Sequence, residues 1–341
     1  MRRSFLEVAR CPACRAERSL ELEVEQEDER EIREGRLTCR VCAERRAIHR
    51  GIAELMPEAP EHVRREAAGL DRFADLMRSD GWDRERVLRL PHEHSGYWVA
   101  QLSAMDQTLE EIVFLPGQSI LDVGSNTCWA SATFAELGLQ TTALDINAGE
   151  MQGLATADWW FEEKDTYFER VLGLMFDVPL ATGSQDYVWC CEVLHHNDRE
   201  TLPRTFAELH RVLKPGGRLI VVNETLRSLL DPKLDPGREV AQFEGHEHAF
   251  LRRSYVKAAR SAGFEIELVA PWIHQIFTQG EWGLSPETSP RKSFRMAAAN
   301  TVRVTPRLNR AYLAWKAYVA GETSLYMVGT KRAETRGRSR S

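Results

Sequence analysis

The sequence predicts an α/β protein whose main part is a doubly wound parallel sheet and whose first 57 residues form a smaller cysteine-bearing module. Two observations carry this prediction. Buried-strand and helix patterns alternate from residue 119 onward, as they do in chains of parallel βαβ units. In addition, four of the seven cysteines fall within the first 42 residues. At about 150 residues per domain, 341 residues provide for one large domain and one small module.

Composition and charge narrow the class of protein. A hydrophobic content of 43% is enough for a packed core and excludes a disordered chain. The net charge of −6 gives no support to a dedicated nucleic-acid binder. No segment approaches the roughly 18 consecutive apolar residues of a membrane span, and the first residues lack the apolar segment of a secretion signal. We therefore expect a cytoplasmic protein without membrane association.

The N-terminal cysteines form two C-x2-C pairs separated by 24 residues: Cys11, Cys14, Cys39 and Cys42. Two such turns direct four thiolates at one tetrahedral centre and leave no open coordination position. The pattern predicts a structural Zn²⁺ site. The alternatives are two disulfides, which a reducing cytosol disfavours, and four unrelated thiols. Between the pairs, residues 20–25 alternate apolar and charged side chains, which is typical of a strand in a hairpin.

Residues 58–115 are expected to form a helical connector or lid. Apolar side chains recur there at spacings of three and four residues, for example at Leu102, Met105 and Leu109. A domain predicted for residues 116–333 follows. Its expected strands lie at 119–123, 141–145, 171–176, 186–191, 218–223, 264–270 and 324–329, and its expected helices at 129–137, 199–213 and 251–262.

About 50 residues separate the last two expected strands, which predicts a cap insertion at about 272–322. It is rich in aromatic residues: Trp272, Trp282, Phe294, Tyr312 and Trp315. Structureless segments of this length usually serve as binding or lid elements. We expect the insertion to cover the substrate, with homodimer formation as a second use. The tail, residues 334–341, is expected to be disordered.

The residues that follow each strand are the candidates for ligand binding, because ligands of doubly wound sheets lie beyond the carboxyl ends of the strands. Asp122, Gly124 and Asn126 lie at the end of the first strand, and Asp145 and Ile146 at the end of the second. Gly124 lets the backbone approach a ligand closely. Asp145 follows it by 21 residues and is placed to bind ribose hydroxyls.

Four ordered motifs resemble those of the class I S-adenosylmethionine-dependent methyltransferases. Residues 122–128 match part of D-x-G-x-G-x-G, and Leu144-Asp145 matches the acidic end of the second strand. Residues 177–188 match the D-x-x-LPF stretch, and residues 213–219 match L-K-P-G-G-x-L. The resemblance covers about residues 116–270 and one later strand. It implies a seven-stranded Rossmann-like sheet, methyl transfer, and S-adenosyl-L-methionine as cofactor.

The same resemblance implies roles for individual residues. Asp145 would hold the ribose, Asp177 the adenine amino group and Val178 the adenine ring through its backbone, while Gly124 would contact the methionine end. Asn126 and Cys128 replace the second and third glycines of the loop. Asn tolerates the left-handed backbone conformation that such a glycine adopts. Glu192, after the fourth strand, completes the predicted cofactor-binding set.

The cysteine pairs, together with residues 48–57, resemble a zinc-ribbon activator subunit. Such subunits accompany methyltransferases of transfer RNA, ribosomal RNA and release factors, and also occur fused to methyltransferases. In this sequence, however, residues 1–57 contain 12 arginines and 12 acidic residues. The module is therefore not a basic RNA-binding surface as a whole.

Methyl transfer needs a base only where the acceptor must lose a proton. The candidates are His195, after the fourth strand, and His246 and His248, which precede the helix expected at 251–262. The function expected is methylation of oxygen or nitrogen in a small molecule or biosynthetic intermediate. An RNA methyltransferase is one alternative, with arginines of the module as phosphate contacts: Arg36, Arg40, Arg45, Arg46 and Arg50. A degenerate methyltransferase that acts as a binding subunit is the other, because of Asn126 and Cys128.

Overall fold

A computed structural model describes residues 1–93, 96–227, 229, 248–272, 305–315 and 324–333. The strands are β1 (Leu20–Glu27), β2 (Ile32–Cys39), β3 (Arg45–His49), β4 (Ile52–Glu54), β5 (Ser119–Val123), β6 (Gln140–Asp145), β7 (Glu169–Leu172), β8 (Gln185–Cys191), β9 (Leu213–Thr225), β10 (Phe264–Leu268) and β11 (Ser324–Lys331). The helices are α1 (Glu61–Ser79), α2 (Arg84–Leu88), α3 (Gly96–Glu111), α4 (Trp129–Glu136), α5 (Ala157–Lys164), α6 (Thr201–Val212), α7 (Arg252–Ser261) and α8 (Pro306–Trp315).

Seven strands form the doubly wound sheet that the sequence predicts. They lie in the order β7-β6-β5-β8-β9-β11-β10. All neighbours from β7 to β9 are parallel, whereas β11 runs antiparallel to both β9 and β10. The long insertion therefore separates the two strands of an antiparallel edge pair, as expected. The order of the strands reverses between β5 and β8, which is where such a sheet binds its ligand.

The N-terminal module, residues 1–57, extends this sheet. Its predicted hairpin is present, with Leu20 of β1 opposite Cys39 of β2. Two further short strands, β3 and β4, were not predicted. Because β4 pairs in parallel with β7, with Ile52 opposite Arg170, the module continues the sheet to eleven strands.

The predicted strand 171–176 is wrong at its end. The observed strand, β7, is Glu169–Leu172. The chain then turns, and the Asp177 N–H donates to the Leu174 carbonyl at 3.2 Å. A backbone turn is satisfied locally and cannot also continue the ladder of the sheet.

Two apolar cores lie on opposite faces of the sheet because successive strand residues point to opposite sides. Leu121 and Val123 of β5 belong to one core, and Ile120 belongs to the other. Phe5 and Leu37 of the N-terminal module lie in the first core. The module and the sheet thus bury a common set of apolar side chains.

A buried ion network joins the module to β7. The Arg170 side chain is fully buried and pairs with Glu31 of the module and with Asp158, the latter at 2.9 Å. Glu31 also accepts hydrogen bonds from the Met1 amino group at 2.7 Å and from Arg33 at 2.8 Å. Buried charges are tolerated when each has partners of this kind. The Arg170 guanidinium is therefore stabilised in place by a residue that the module supplies.

The described residues leave some expectations without a structural test. Trp282, Phe294 and the tail 334–341 lie outside them. Of the expected cap, helix α8 is described, and the Tyr312 and Trp315 rings lie 6.3 Å apart there. Among the helices in the described parts of the chain, none combines the length and apolarity needed to cross a bilayer.

Removing the Glu31 carboxylate should uncouple the module from the sheet. Glu31→Ala leaves the buried Arg170 with Asp158 alone, so we expect the free energy of unfolding in urea to fall by about 3–5 kcal/mol. Glu25→Ala is the control, because Glu25 pairs with Arg36 at 3.4 Å on the surface, where such pairs contribute at most about 1 kcal/mol. Equal losses in the two variants would contradict this account.

Candidate active site

The candidate site lies where β5 and β8 end side by side. The loops that follow these strands pack against each other, since a Cβ atom on Gly124 would overlap a methyl carbon of Val193. The contact with Val193 therefore requires glycine at position 124, whether or not a ligand is bound. This packing brings Gly124 and Glu192, two of the predicted site residues, close together at the ends of β5 and β8.

The loop after β5 takes the left-handed conformation three times. The φ angles are +70° at Gly124, +45° at Asn126 and +59° at Cys128. The prediction that Asn126 can replace a glycine through this conformation is confirmed. Cys128 is fully buried and belongs to the same core as Trp129 and Phe134. Its side chain therefore contributes to the core of the protein.

Asp145, at the end of β6, connects the loops on either side of it. Its carboxylate accepts the backbone N–H of Asn126 at 2.8 Å and that of Asn147 at 2.9 Å, and also bonds the N–H of Ile146. Burial raises the pKa of Asp145 to about 6 despite these donors. Each carboxylate oxygen has a second lone pair for a further donor. The residue can therefore shape the loops and still bind ribose hydroxyls.

Asp122 lies inside β5 and is engaged within the protein. Its carboxylate accepts the Ser131 hydroxyl at 2.6 Å, and only 2% of the residue is exposed. Burial raises its pKa to about 7. Asp122 therefore braces the start of α4 against β5, and the structure does not support the direct cofactor contact predicted for it.

The groups of Asp177 and Val178 that are predicted to hold adenine have partners within the protein. Both carboxylate oxygens of Asp177 pair with arginines of the N-terminal module, one with Arg10 and the other with Arg15 at 3.0 Å. The Val178 N–H donates to Glu208 of α6 at 3.0 Å. The Asp177 carboxylate thus connects the module to the sheet, and the Val178 N–H connects the loop after β7 to α6.

Helix α1 crosses the ends of β6 and β8. Its Glu66 is buried and pairs with His196, which follows β8. Its Asp71 accepts a hydrogen bond from the Asn147 side chain at 3.0 Å, just beyond β6. The predicted connector thus covers the part of the site where Asp145 lies.

Helix α3 covers the neighbouring part, at the ends of β8 and β9. Gln101 accepts hydrogen bonds from the Cys191 thiol at 2.7 Å and from the Asn223 amide at 3.1 Å. Tyr97, one turn earlier, directs its hydroxyl to Glu192. Gln101 was not predicted, whereas Tyr97 lies in a polar and aromatic segment, residues 91–98, for which the sequence leaves open a lid or a packing role.

His195 is held by a fully buried carboxylate, that of Glu224 at the end of β9. The His195 Nδ1 atom lies 2.6 Å from Glu224, which also accepts the backbone N–H groups of Val193, Leu194 and His195. Burial opposes ionisation of Glu224, but His195 and these donors outweigh it and lower its pKa below the ordinary value. Glu224 was not among the predicted site residues, although it directly follows the strand expected at 218–223.

The structure places one of the other two candidate histidines. The His248 backbone N–H donates to the His195 carbonyl at 2.6 Å, so the segment before α7 returns to the candidate site. The His248 side chain is exposed. His246 lies outside the described residues.

The four N-terminal cysteines converge. Their sulfur atoms all lie within 4.8 Å of one another, with Cys11 and Cys42 at 3.6 Å and Cys14 and Cys39 at 3.7 Å. A tetrahedral zinc with bonds of about 2.3 Å separates its sulfurs by about 3.8 Å. Disulfide sulfurs lie only about 2.05 Å apart. The arrangement therefore fits a zinc site with four cysteine ligands and excludes the two disulfides.

The arginines proposed as RNA contacts mostly face carboxylates. Arg36, Arg40 and Arg46 pair with glutamates of the N-terminal module. Arg50 pairs with Glu150 and Asp158 beyond it. Each of these four arginines therefore has a carboxylate partner within the protein.

Comparison with known proteins agrees with this geometry. Residues 121–221 match a family model described as a methyltransferase domain. The malonyl-[acyl-carrier protein] O-methyltransferase of Serratia marcescens is 29% identical over 45% of this chain, which spans 56% of that relative. The enzyme of the same name from Pectobacterium atrosepticum is 28% identical over 73% of the chain and 83% of the relative. These matches support a class I S-adenosylmethionine-dependent methyltransferase domain that includes residues 121–221.

Solved structures give a weaker likeness. The Haemonchus contortus phosphoethanolamine N-methyltransferase 2, in complex with S-adenosyl-L-methionine, is 17% identical with a TM-score of 0.46. The match covers 77% of this chain and 60% of that one.

The contact between Gly124 and Val193 can be tested with a matched pair of glycines. Gly183 also has a left-handed φ, +65°, but nothing lies within 4 Å of where its Cβ would be. Gly183→Ala should therefore cost only the backbone strain, about 1–2 kcal/mol of unfolding free energy. Gly124→Ala should cost more because it adds the overlap with Val193, and Val193→Ala should partly rescue it. A Gly124→Ala variant no less stable than Gly183→Ala would refute the packing argument.

Proposed function

We propose that this protein transfers the methyl group of S-adenosylmethionine to an oxygen or nitrogen atom of a small molecule or biosynthetic intermediate. The main support is that the residues matched by the family model, 121–221, include the loop at Gly124, Asp145 and Glu192. These residues lie at the carboxyl ends of β5, β6 and β8, on either side of the reversal of strand order. The two curated relatives described above are named as O-methyltransferases, which favours oxygen as the acceptor.

The described residues fit S-adenosylmethionine in two respects. The left-handed loop from Gly124 to Cys128 brings backbone to the end of β5, where α4 begins. Asp145 retains lone pairs for the ribose hydroxyls. When bound, the cofactor supplies an electrophilic methyl group on a positively charged sulfur. The chain then has to hold the acceptor in line with that methyl group and exclude water, and α1 and α3 are the elements that cover the site.

We also propose that the N-terminal module binds one zinc ion through Cys11, Cys14, Cys39 and Cys42. All four positions of the tetrahedron are filled by sulfur, so the metal has no open site for chemistry. Its role is to hold the module in the shape in which β4 can pair with β7. This assigns the zinc to the fold of the protein and leaves methyl transfer to the sheet.

An RNA substrate is the weaker proposal. It requires a basic path from the module to the site, whereas Arg36, Arg40, Arg46 and Arg50 are paired with carboxylates. A small-molecule acceptor requires no such surface. Binding of the methyl donor, in turn, distinguishes an enzyme from a degenerate binding subunit.

Calorimetry with S-adenosylmethionine and S-adenosylhomocysteine tests the leading proposal. We expect both to bind, and Asp145→Asn to weaken binding about 10- to 100-fold, because a hydrogen bond to a charged group is worth about 1.5–3 kcal/mol. Asp75→Asn, the same change on an exposed residue of α1, should leave the affinity unchanged. No binding of either compound at millimolar concentration would reject the methyltransferase function in favour of a degenerate subunit.

Metal analysis tests the zinc proposal. We expect about one zinc per purified chain, and loss of most of it in a Cys14→Ser, Cys42→Ser double variant. Cys191→Ser is the control, since that thiol lies at the end of β8 and should not affect the metal content. A zinc content far below one per chain in the unsubstituted protein would refute the site.

A further inference from the structure

Glu192 has an unusual backbone conformation at the centre of the candidate site. It follows β8 directly, next to the Val193 side chain that packs on Gly124. Its φ angle is +50°, in the left-handed region that residues other than Gly, Asn and Asp seldom adopt. Strained backbone of this kind occurs where the surroundings enforce it, commonly at functional sites.

The surroundings of the Glu192 side chain differ from those of Asp145. Asp145 interacts with the loops under α1, whereas Glu192 receives hydrogen bonds from Tyr97 and Gln101 of α3. Among the described residues, the other titratable groups that face it are His195, which follows β8, Glu224 at the end of β9, Cys191 of β8 and Tyr326 of β11. Glu192 therefore lies on the side of the switch point away from the ribose-binding residue.

Access distinguishes Glu192 from His195. The His195 side chain is 8% exposed, and one of its nitrogens already bonds Glu224. Glu192 is only half-buried, and its partner Tyr97 is 54% exposed. A methyl acceptor arriving from solvent can reach the Tyr97–Glu192 pair without displacing a buried ion pair.

Resting on the proposed function, we propose that Glu192 receives the proton of the methyl acceptor. The cationic sulfur of S-adenosylmethionine prepares Glu192 for this role by driving the Glu192 carboxyl group into the ionised form. The acceptor is then a hydroxyl, or a neutral nitrogen that carries both an N–H and a lone pair. Its lone pair forms the bond to the methyl carbon, and the carbon–sulfur bond breaks with its electron pair left on sulfur. The acceptor proton passes to the Glu192 carboxylate and from there to water.

The electrostatics of the pair agree with this sequence of events. Burial raises the pKa of Glu192 to about 7, with Glu224 adding to the rise and Tyr97 and His195 opposing it. At pH 7 about half of the molecules then carry a neutral Glu192 before the donor binds. A positive charge nearby favours the carboxylate, so binding should release the proton.

Calorimetry in buffers of different ionisation enthalpy measures that release. At pH 7 we expect S-adenosylmethionine to release about half a proton more than S-adenosylhomocysteine, which has the same amino acid, ribose and adenine but an uncharged sulfur. The difference should vanish in Glu192→Gln. It should increase in Tyr97→Phe, because the hydroxyl that stabilises the carboxylate is lost and more of Glu192 is protonated at the start.

A second tyrosine–glutamate pair supplies the matched control. Tyr167 donates to Glu169 at 2.9 Å beside the N-terminal module, and burial raises the pKa of Glu169 as well. Glu169→Gln should keep the difference between the two ligands. The proposal would be overturned if the difference in proton release between the two ligands were unchanged in Glu192→Gln, or absent in the unsubstituted protein. Binding of the ligands in the same experiment would still support the proposed function.

Turnover tests the proton transfer itself. Radiolabelled methyl groups from S-adenosylmethionine, incubated with pools of phenols, alcohols and amines, report transfer. At saturating S-adenosylmethionine, Glu192→Gln should lower the rate by about 100-fold or more. Full turnover in Glu192→Gln, or its loss only in His195→Gln, would assign the base elsewhere.

Discussion

The burial of the Arg170 guanidinium is the constraint on which the architecture depends. A fully buried charge is stable only with partners, and one of the two partners of Arg170 comes from the N-terminal module. Arg170 also lies opposite Ile52 in the parallel pairing of β4 with β7. Arg170 therefore takes part both in the backbone pairing and in the ion network that join the module to the sheet. The module is in this respect a part of the sheet, with a common core and a common ion network.

The candidate site follows from where the sheet reverses its strand order. The loops after β5 and β8 are in contact through Gly124 and Val193, which creates two adjoining halves beneath two different helices. Asp145 shapes the half under α1, and Glu192 the half under α3. Such a division suits a reaction that must bind a nucleoside and a second substrate at once and bring them together over one short distance.

Sequence reasoning found the sheet and much of this site because both depend on local patterns. Alternating strands and helices, the cysteine spacing, and the acidic end of β6 are visible within short windows of residues. The ion pairs of Asp177 could not be predicted, because its partners, Arg10 and Arg15, are more than 160 residues away along the chain. Glu224 could have been predicted, because it directly follows an expected strand, as the other candidate residues do. The position of Tyr97 over Glu192 could not have been predicted, because it depends on how α3 packs.

The pairing of β4 with β7 also sets an order of events during folding. The two strands are separated by more than 110 residues, so the contact that joins them is slow to form relative to local structure. As the chain is synthesised, the N-terminal module is complete long before residue 172 is available. Until then β4 has an unpaired edge, and such edges invite association with other strands. The short length of β4, three residues, limits that exposure while the rest of the sheet is being made.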